Sequence, residues 1–346
     1  MCNNKRVIYS YSGSLLPIYL YSKVERKADM ASRTAILFDP IYKEHQTGAG
    51  HPEAPARYDA IMAALRQAGL LEKLRHIKPR LAAKAEILLC HTEDYLRLVA
   101  RDIAAGAAEL STGDTALSAR SLEVALYAAG GVLQTVDAVM TGRAANAFCV
   151  VRPPGHHATA DRGMGFCIFN NVALAARYAR EKYKLQRILI ADWDLHHGNG
   201  TQEIFYEDDT VFFFSTHQYP QYPGTGAGGK TGRGRGLGFT LNCPVPPGAG
   251  RKEILGAFED KLVPEMRRFK PELVLLSAGF DSRLGDPLGN LTLTDQDFAD
   301  LTGVLMQIAH EYAQDRLISV LEGGYDLEGL GQAVVAHVKR LAAIQA

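Results

Sequence analysis

The side chains in this sequence with the clearest chemical potential are Asp192, Asp194, His196 and Asp281. The first three are spaced by two, and on extended backbone such residues project to one side. Asp194 and His196, joined by Asp281 from a separate segment, supply three N/O ligands and leave room for water. That open set is the pattern of catalytic zinc and also suits iron or manganese. A lone Asp at a strand end more often caps a helix, and a lone His is more often a satisfied core residue; the three together favour a metal. His156 and His157 follow Pro-Pro-Gly, where a packed turn is the plain explanation. Beside a metal they become candidates for acid–base work, because imidazole titrates near neutrality. Each then needs a partner for its second ring nitrogen, and Asp192 and Asn199 are nearby in sequence. Tyr325, after Gly323 and Gly324, either packs at a strand exit or presents its phenol as an oxyanion donor.

These residues must be positioned by the elements that precede them. Short, continuous apolar runs occur at 35–38, 147–151, 187–192, 211–216, 238–243, 273–279 and 317–323. Continuous rather than alternating runs indicate strands covered on both faces. Helical patterns separate them at 54–69, 119–140, 171–183, 251–269, 294–313 and near the C-terminus, with Thr294 and Asp297 forming a near capping box. The alternation predicts one three-layer α/β domain with a largely parallel sheet. Five of the runs lead into His156–His157, Asp192–His197, Ser215–His217, Asp281 and Tyr325. In a parallel sheet those ends share one edge, the edge where such folds bind ligands. Two long irregular segments, 152–170 and 217–237, are expected to serve the site. The glycines at 232–238 precede a strand and match no phosphate-loop spacing, so they read as a plain flexible loop.

The chain has 346 residues, with 38 basic and 38 acidic side chains and 47% hydrophobic residues. Balanced charge removes the electrostatic footprint of a general nucleic-acid binder. Five scattered cysteines without C-x-x-C give neither a disulfide framework nor a cysteine zinc site. Residues 7–22 follow Lys5 and Arg6 but are broken by serines, a glycine and a proline, with no small-x-small cleavage site after them. We therefore expect residues 1–30 to be an extension outside the fold, residues 31–346 to form the catalytic domain, no membrane span, and a cytoplasmic location. A homo-oligomer is compatible with all of this.

Five segments carry a family resemblance: RPPGHHATADRGMGFCIFNNVALAA, ADWDLHHGNGTQEIF, FFSTHQYPQYPGTG, LSAGFDSRLGDPLGNLTLT and LEGGYDLEGL, with GHPEAPARYDAI at 50–61 as an early signature. Together they resemble the zinc-dependent histone deacetylase superfamily, nearest its class II branch with the bacterial histone deacetylase-like amidohydrolases. The resemblance implies the arginase–deacetylase fold, an eight-stranded parallel sheet. It implies one zinc at Asp194, His196 and Asp281, with His157 as general base and then acid. His156 becomes its electrostatic neighbour, paired with Asp192, while Asn199 faces His157. Tyr325 polarises the amide carbonyl. Gly165 and Phe166 line an acyl-lysine tunnel opposite Tyr222, which stands where class I members usually carry Phe. Asp114 resembles the rim carboxylate that holds substrate. Asp192, Asp194, His196, Ser215 and Thr216 match a structural potassium site. Leu288 is apolar where a polyamine-preferring relative carries an acid. The expected substrate is an acylated lysine in a peptide or protein. The alternative is an acetylpolyamine or other small acylated amine, and a non-catalytic acyl-lysine binder ranks lower. An arginase-type ureohydrolase would need a second metal with more aspartates.

Overall fold

The computed structural model describes residues 33–343, so the reading of residues 1–30 as an extension lies outside the described residues. Eight strands form one parallel sheet: β1 Thr34–Leu37, β2 Arg75–Ile77, β3 Asn146–Cys149, β4 Ile188–Asp192, β5 Val211–Gln218, β6 Thr240–Val245, β7 Leu273–Ala278 and β8 Leu317–Leu321. Their order is β2-β1-β3-β8-β7-β4-β5-β6, and every pairing is parallel. The five runs that lead into candidate site residues are therefore five consecutive strands, β3-β8-β7-β4-β5. Their loops meet at one edge without any long reach.

Strands β1, β3, β4, β5, β7 and β8 are buried at every position, as their unbroken apolar runs require. Helices cover both faces. Ser121–Met140 is long and apolar enough to cross a membrane, but 13 of its 20 residues are buried within the protein. The edges differ from the centre. β6 carries Pro244, which an edge strand tolerates because one side of it needs no ladder bonds. β2 is three residues long with only Ile77 buried.

Helix starts follow local chemistry. Asn170 accepts the Ala173 N–H, Asp326 accepts the Gly329 N–H, and Thr294 exchanges bonds with Asp297 in a capping box. The Asp326 cap starts the helix Leu327–Leu341 directly after Tyr325, which fixes where the chain goes once it has passed the tyrosine. The glycine-rich stretch 232–238 is a largely exposed loop with one short helical turn at Gly234–Gly236 and Gly236 alone buried. Arg233 N–H donates to the Tyr206 carbonyl at 2.8 Å. A Cβ on Gly236 would stand 2.5 Å from that same oxygen, and one on Gly232 would collide with the Gly236 carbonyl.

Candidate active site

β4 ends at Asp192 and the chain then bends. Asp194 and His196 thus do not share a side because the strand continues, as their spacing suggested. Two local bonds fold the segment instead: Asp194 N–H to Asp192 Oδ1 at 3.1 Å, and His196 N–H to Asp194 Oδ1 at 2.8 Å. Asp281, from the loop after β7, accepts the Leu195 N–H at 2.8 Å. His196 Nδ1 lies 3.1 Å from both Asp194 Oδ1 and Asp281 Oδ2. One donor atom from each of the three residues lies within 4.8 Å of the others. Two glycines leave space for this approach, since a Cβ on Gly279 would collide with Asp194 Oδ2 and one on Gly323 with Asp281 Oδ2.

The electrostatics ask for a cation. Asp192, Asp194 and Asp281 are all buried, and among the described residues none is bonded to a lysine or arginine. Burial, reinforced by the Asp194 charge, pushes the Asp281 carboxyl up to about 7. Burial also opposes ionisation of Asp194, but the His156 and His196 imidazoliums outweigh it and hold that carboxyl well below the usual range. Two buried carboxylates and an imidazole converging with no lysine or arginine bonded to them among the described residues fit one divalent cation.

The two histidines after Pro154 are 4.0 Å apart, ring to ring, and burial acts on both. For His156 the Asp194 and Asp192 carboxylates overcome it and raise the pKa to about 10; its Nδ1 is 3.0 Å from Asp192 Oδ2. For His157 the His156 and His196 charges add to burial, so its pKa falls well below 6.5 and the ring is neutral at pH 7. Its Nδ1 is 2.7 Å from Asn199 Oδ1. An amide oxygen only accepts, so Nδ1 carries the hydrogen and Nε2 keeps a free lone pair.

His157, His196 and Tyr325 line one cavity of about 240 Å³ with Asp114, Gly165, Phe166, Gln221, Tyr222 and Leu288. Phe166 and Tyr222 are its aromatic walls; the Tyr222 ring stands 5.2 Å from His157 and the Phe166 ring 6.1 Å from Tyr325. Phe166 has φ +67°, a left-handed backbone that is rare for a bulky residue. His51 packs on its ring at 4.6 Å, and Asp114 accepts the preceding Gly165 N–H at 2.7 Å, which together hold it there. Burial raises the Tyr325 phenol well above 10, with Asp281 and Asp194 adding to that against Arg57, so it remains a donor. Ser215 and Thr216 are buried in β5, with Ser215 beside Asp192 in register and its hydroxyl 2.9 Å from His217 Nδ1. They lie outside this cavity.

A cavity lined by a neutral histidine, a phenol, two aromatic walls and His196 of the metal-type triad is suited to hydrolysing an amide. The family model of the histone deacetylase domain matches residues 51–341. The chain belongs to the histone deacetylase family.

Its membership makes it an enzyme that hydrolyses acyl amides. Related histone deacetylase family proteins include a probable deacetylase from Archaeoglobus fulgidus, 40% identical over 298 residues that cover 86% of this chain and 82% of that one. A polyamine deacetylase HDAC10 from Danio rerio is 40% identical over 90% of this chain, which spans 48% of its length. The crystal structure of the HDA15 HD domain superposes with a TM-score of 0.85 at 36% identity, covering 90% of this chain and 89% of that one.

The structure adds residues to the site that the sequence did not single out. Asp286 accepts the Tyr325 N–H at 2.7 Å, and Gln221 donates to the Leu288 carbonyl at 3.1 Å, joining two loops of the cavity mouth. Arg57 donates to the Gly324 carbonyl at 2.6 Å and sits 5.0 Å above the Tyr325 ring. Glu322 bonds the loop that carries both histidines. All four lie within the quoted family segments, and Glu322 also stands out by type, as an acid at the end of an otherwise apolar run.

Proposed function

We propose that this enzyme is a zinc-dependent deacylase that removes acetyl or related acyl groups from lysine side chains of peptides or proteins. The observation that carries the reading is the shared cavity of His157, His196 and Tyr325, walled by Phe166 and Tyr222. Asp194, His196 and Asp281 would hold the zinc. When bound, the metal supplies Lewis acidity, polarising the acyl carbonyl and lowering the pKa of water. The walls would hold the aliphatic part of the acyl-lysine and exclude solvent. His157 takes a proton at Nε2 from the attacking water while Asn199 keeps Nδ1 in place. It then returns that proton to the departing ε-amine. The Tyr325 phenol donates to the oxygen on which charge develops. His156, held by Asp192, stays charged beside them. Asp114 would receive donors of the substrate at the mouth. Asp192, Asp194, His196, Ser215 and Thr216 would hold a structural potassium ion beneath the site.

A second reading, a monoacylated polyamine as substrate, draws on the relatives named as polyamine deacetylases. Against it, Asp114 is the one carboxylate among the described residues lining the cavity, and Leu288 at the mouth is apolar. The deciding experiment compares an acetyl-lysine peptide with N-acetylputrescine on the metal-loaded enzyme. We expect about one zinc per chain, consistent with an open three-ligand site, a preference for the peptide, and turnover that disappears on chelation. Tyr325→Phe is expected to lower kcat about 100-fold or more. Unimpaired peptide cleavage by metal-free enzyme would overturn the mechanism, and a preference for acetylputrescine would overturn the substrate.

A further inference from the structure

The geometry points to Glu322 as the positioning residue that holds the base and the oxyanion donor in fixed relation. His157 and Tyr325 leave different strands, β3 and β8, on backbone beyond the paired strand residues: Pro153-Pro154-Gly155 on one side, and on the other Gly323-Gly324, whose carbonyls accept from Phe280 N–H and Arg57. Glu322 is wholly buried where β8 ends, immediately before those two glycines. Its carboxylate Oε2 accepts the Gly155 N–H at 2.7 Å and the His156 N–H at 3.1 Å. Oε1 accepts the Ser277 hydroxyl of β7 at 3.0 Å, which fixes the rotation of the group. Its own backbone is pinned as well, by its N–H to the Ala278 carbonyl at 3.0 Å and by Arg57 donating to its carbonyl at 2.5 Å. One residue thus belongs to the turn that carries the tyrosine and supplies the acceptors for the loop that carries the histidines. Nothing else bonds those two amides: among the described residues Glu322 Oε2 is the acceptor for both. A buried N–H left without an acceptor is costly, so the loop would shift if the carboxylate were removed.

The role rests on the hydrolase reading for its kinetic consequence but not for its structural one, and the test measures both. In the zinc-loaded enzyme, Glu322→Ala is expected to lower kcat about 100-fold, the scale of an ångström-size misplacement, while KM and zinc content stay within a few fold. Glu322→Gln keeps an oxygen facing both amides and is expected to restore kcat to within about 5-fold. Amide hydrogen exchange at Gly155 and His156 is expected to speed up at least about 10-fold in Glu322→Ala and to stay protected in Glu322→Gln. If Glu322→Ala does not fold, Ser277→Ala frees the carboxylate's rotation and is expected to cost about 5-fold in kcat. Unchanged kcat and exchange in either truncation, or a Glu322→Gln enzyme no better than Glu322→Ala, would overturn the assignment. A wild-type enzyme that hydrolyses no acylated amine would overturn the hydrolase reading instead, and the exchange measurement would still decide the part played by Glu322.

Discussion

An amide at Asn199, where a carboxylate would have carried charge, leaves the His157 ring with no anion bonded to it. Burial and the neighbouring His156 charge then keep the ring neutral, which is the state a general base needs. The sign of the pH dependence follows. A base with a depressed pKa works down to pH values below 6.5, and the acidic limb of kcat/KM marks its protonation. Asn199→Asp would place a carboxylate against Nδ1 and favour the imidazolium, raising the pKa by about one unit or more. Activity in that variant is therefore expected to fail at higher pH than in the wild type, read as an upward shift of the acidic limb. An unmoved limb would assign it to a group other than His157.

At the scale of elements, the turn after β8 brings backbone within touching distance of the metal-type triad. Gly323 N–H donates to Asp194 Oδ2 at 2.8 Å, and a Cβ there would collide with Asp281 Oδ2. Gly323→Ala is expected to fold but to lose tight zinc binding, measured by competition with a chromogenic chelator; wild-type affinity would show that the turn yields more easily than its packing implies. Seven strands and most long helices were readable in the sequence, six of the strands because full burial leaves apolar runs, as at 188–191 and 211–214, and edge strand β6 from a weaker run. β2 was not readable, since Arg75-His76-Ile77 is a short edge strand with two exposed residues. The helix Glu93–Ala104 was also missed, its few buried residues, Tyr95, Val99 and Asp102, lying among charges. Residues of the site that offer chemistry at their tips, such as His157 and Asp281, announce themselves by type. Arg57 and Asp286 act through backbone groups of a distant turn, and no local pattern records which turn a side chain will meet.

For the molecule as a whole, buried histidines govern how acid acts on stability. Burial is the leading cause of each shift: it pushes His45, His91 and His217 to about 4 and His197 and His337 to about 3. Each stays neutral in the folded protein while the unfolded chain takes up a proton near 6.5. Stability therefore declines as pH falls from 6.5 toward the folded values, by about 1.4 kcal/mol per unit for each histidine. His337 is a clean test, lying among Phe148, Trp193 and Phe280 with Nε2 unbonded. His337→Leu is expected to make the loss of unfolding free energy between pH 6 and 5 about 1.4 kcal/mol smaller, measured by denaturant titration; an equal slope in both proteins would refute this. The strand order has a consequence in time as well as in space. β8 is the last of the eight strands in chain order, yet it lies between β3 and β7 in the middle of the sheet. Until it emerges, the nascent chain holds two half-sheets with unpaired inner edges, which invite wrong partners. Tyr325 and the Gly323 amide arrive with that same strand, so closing the sheet and completing the catalytic machinery are one event.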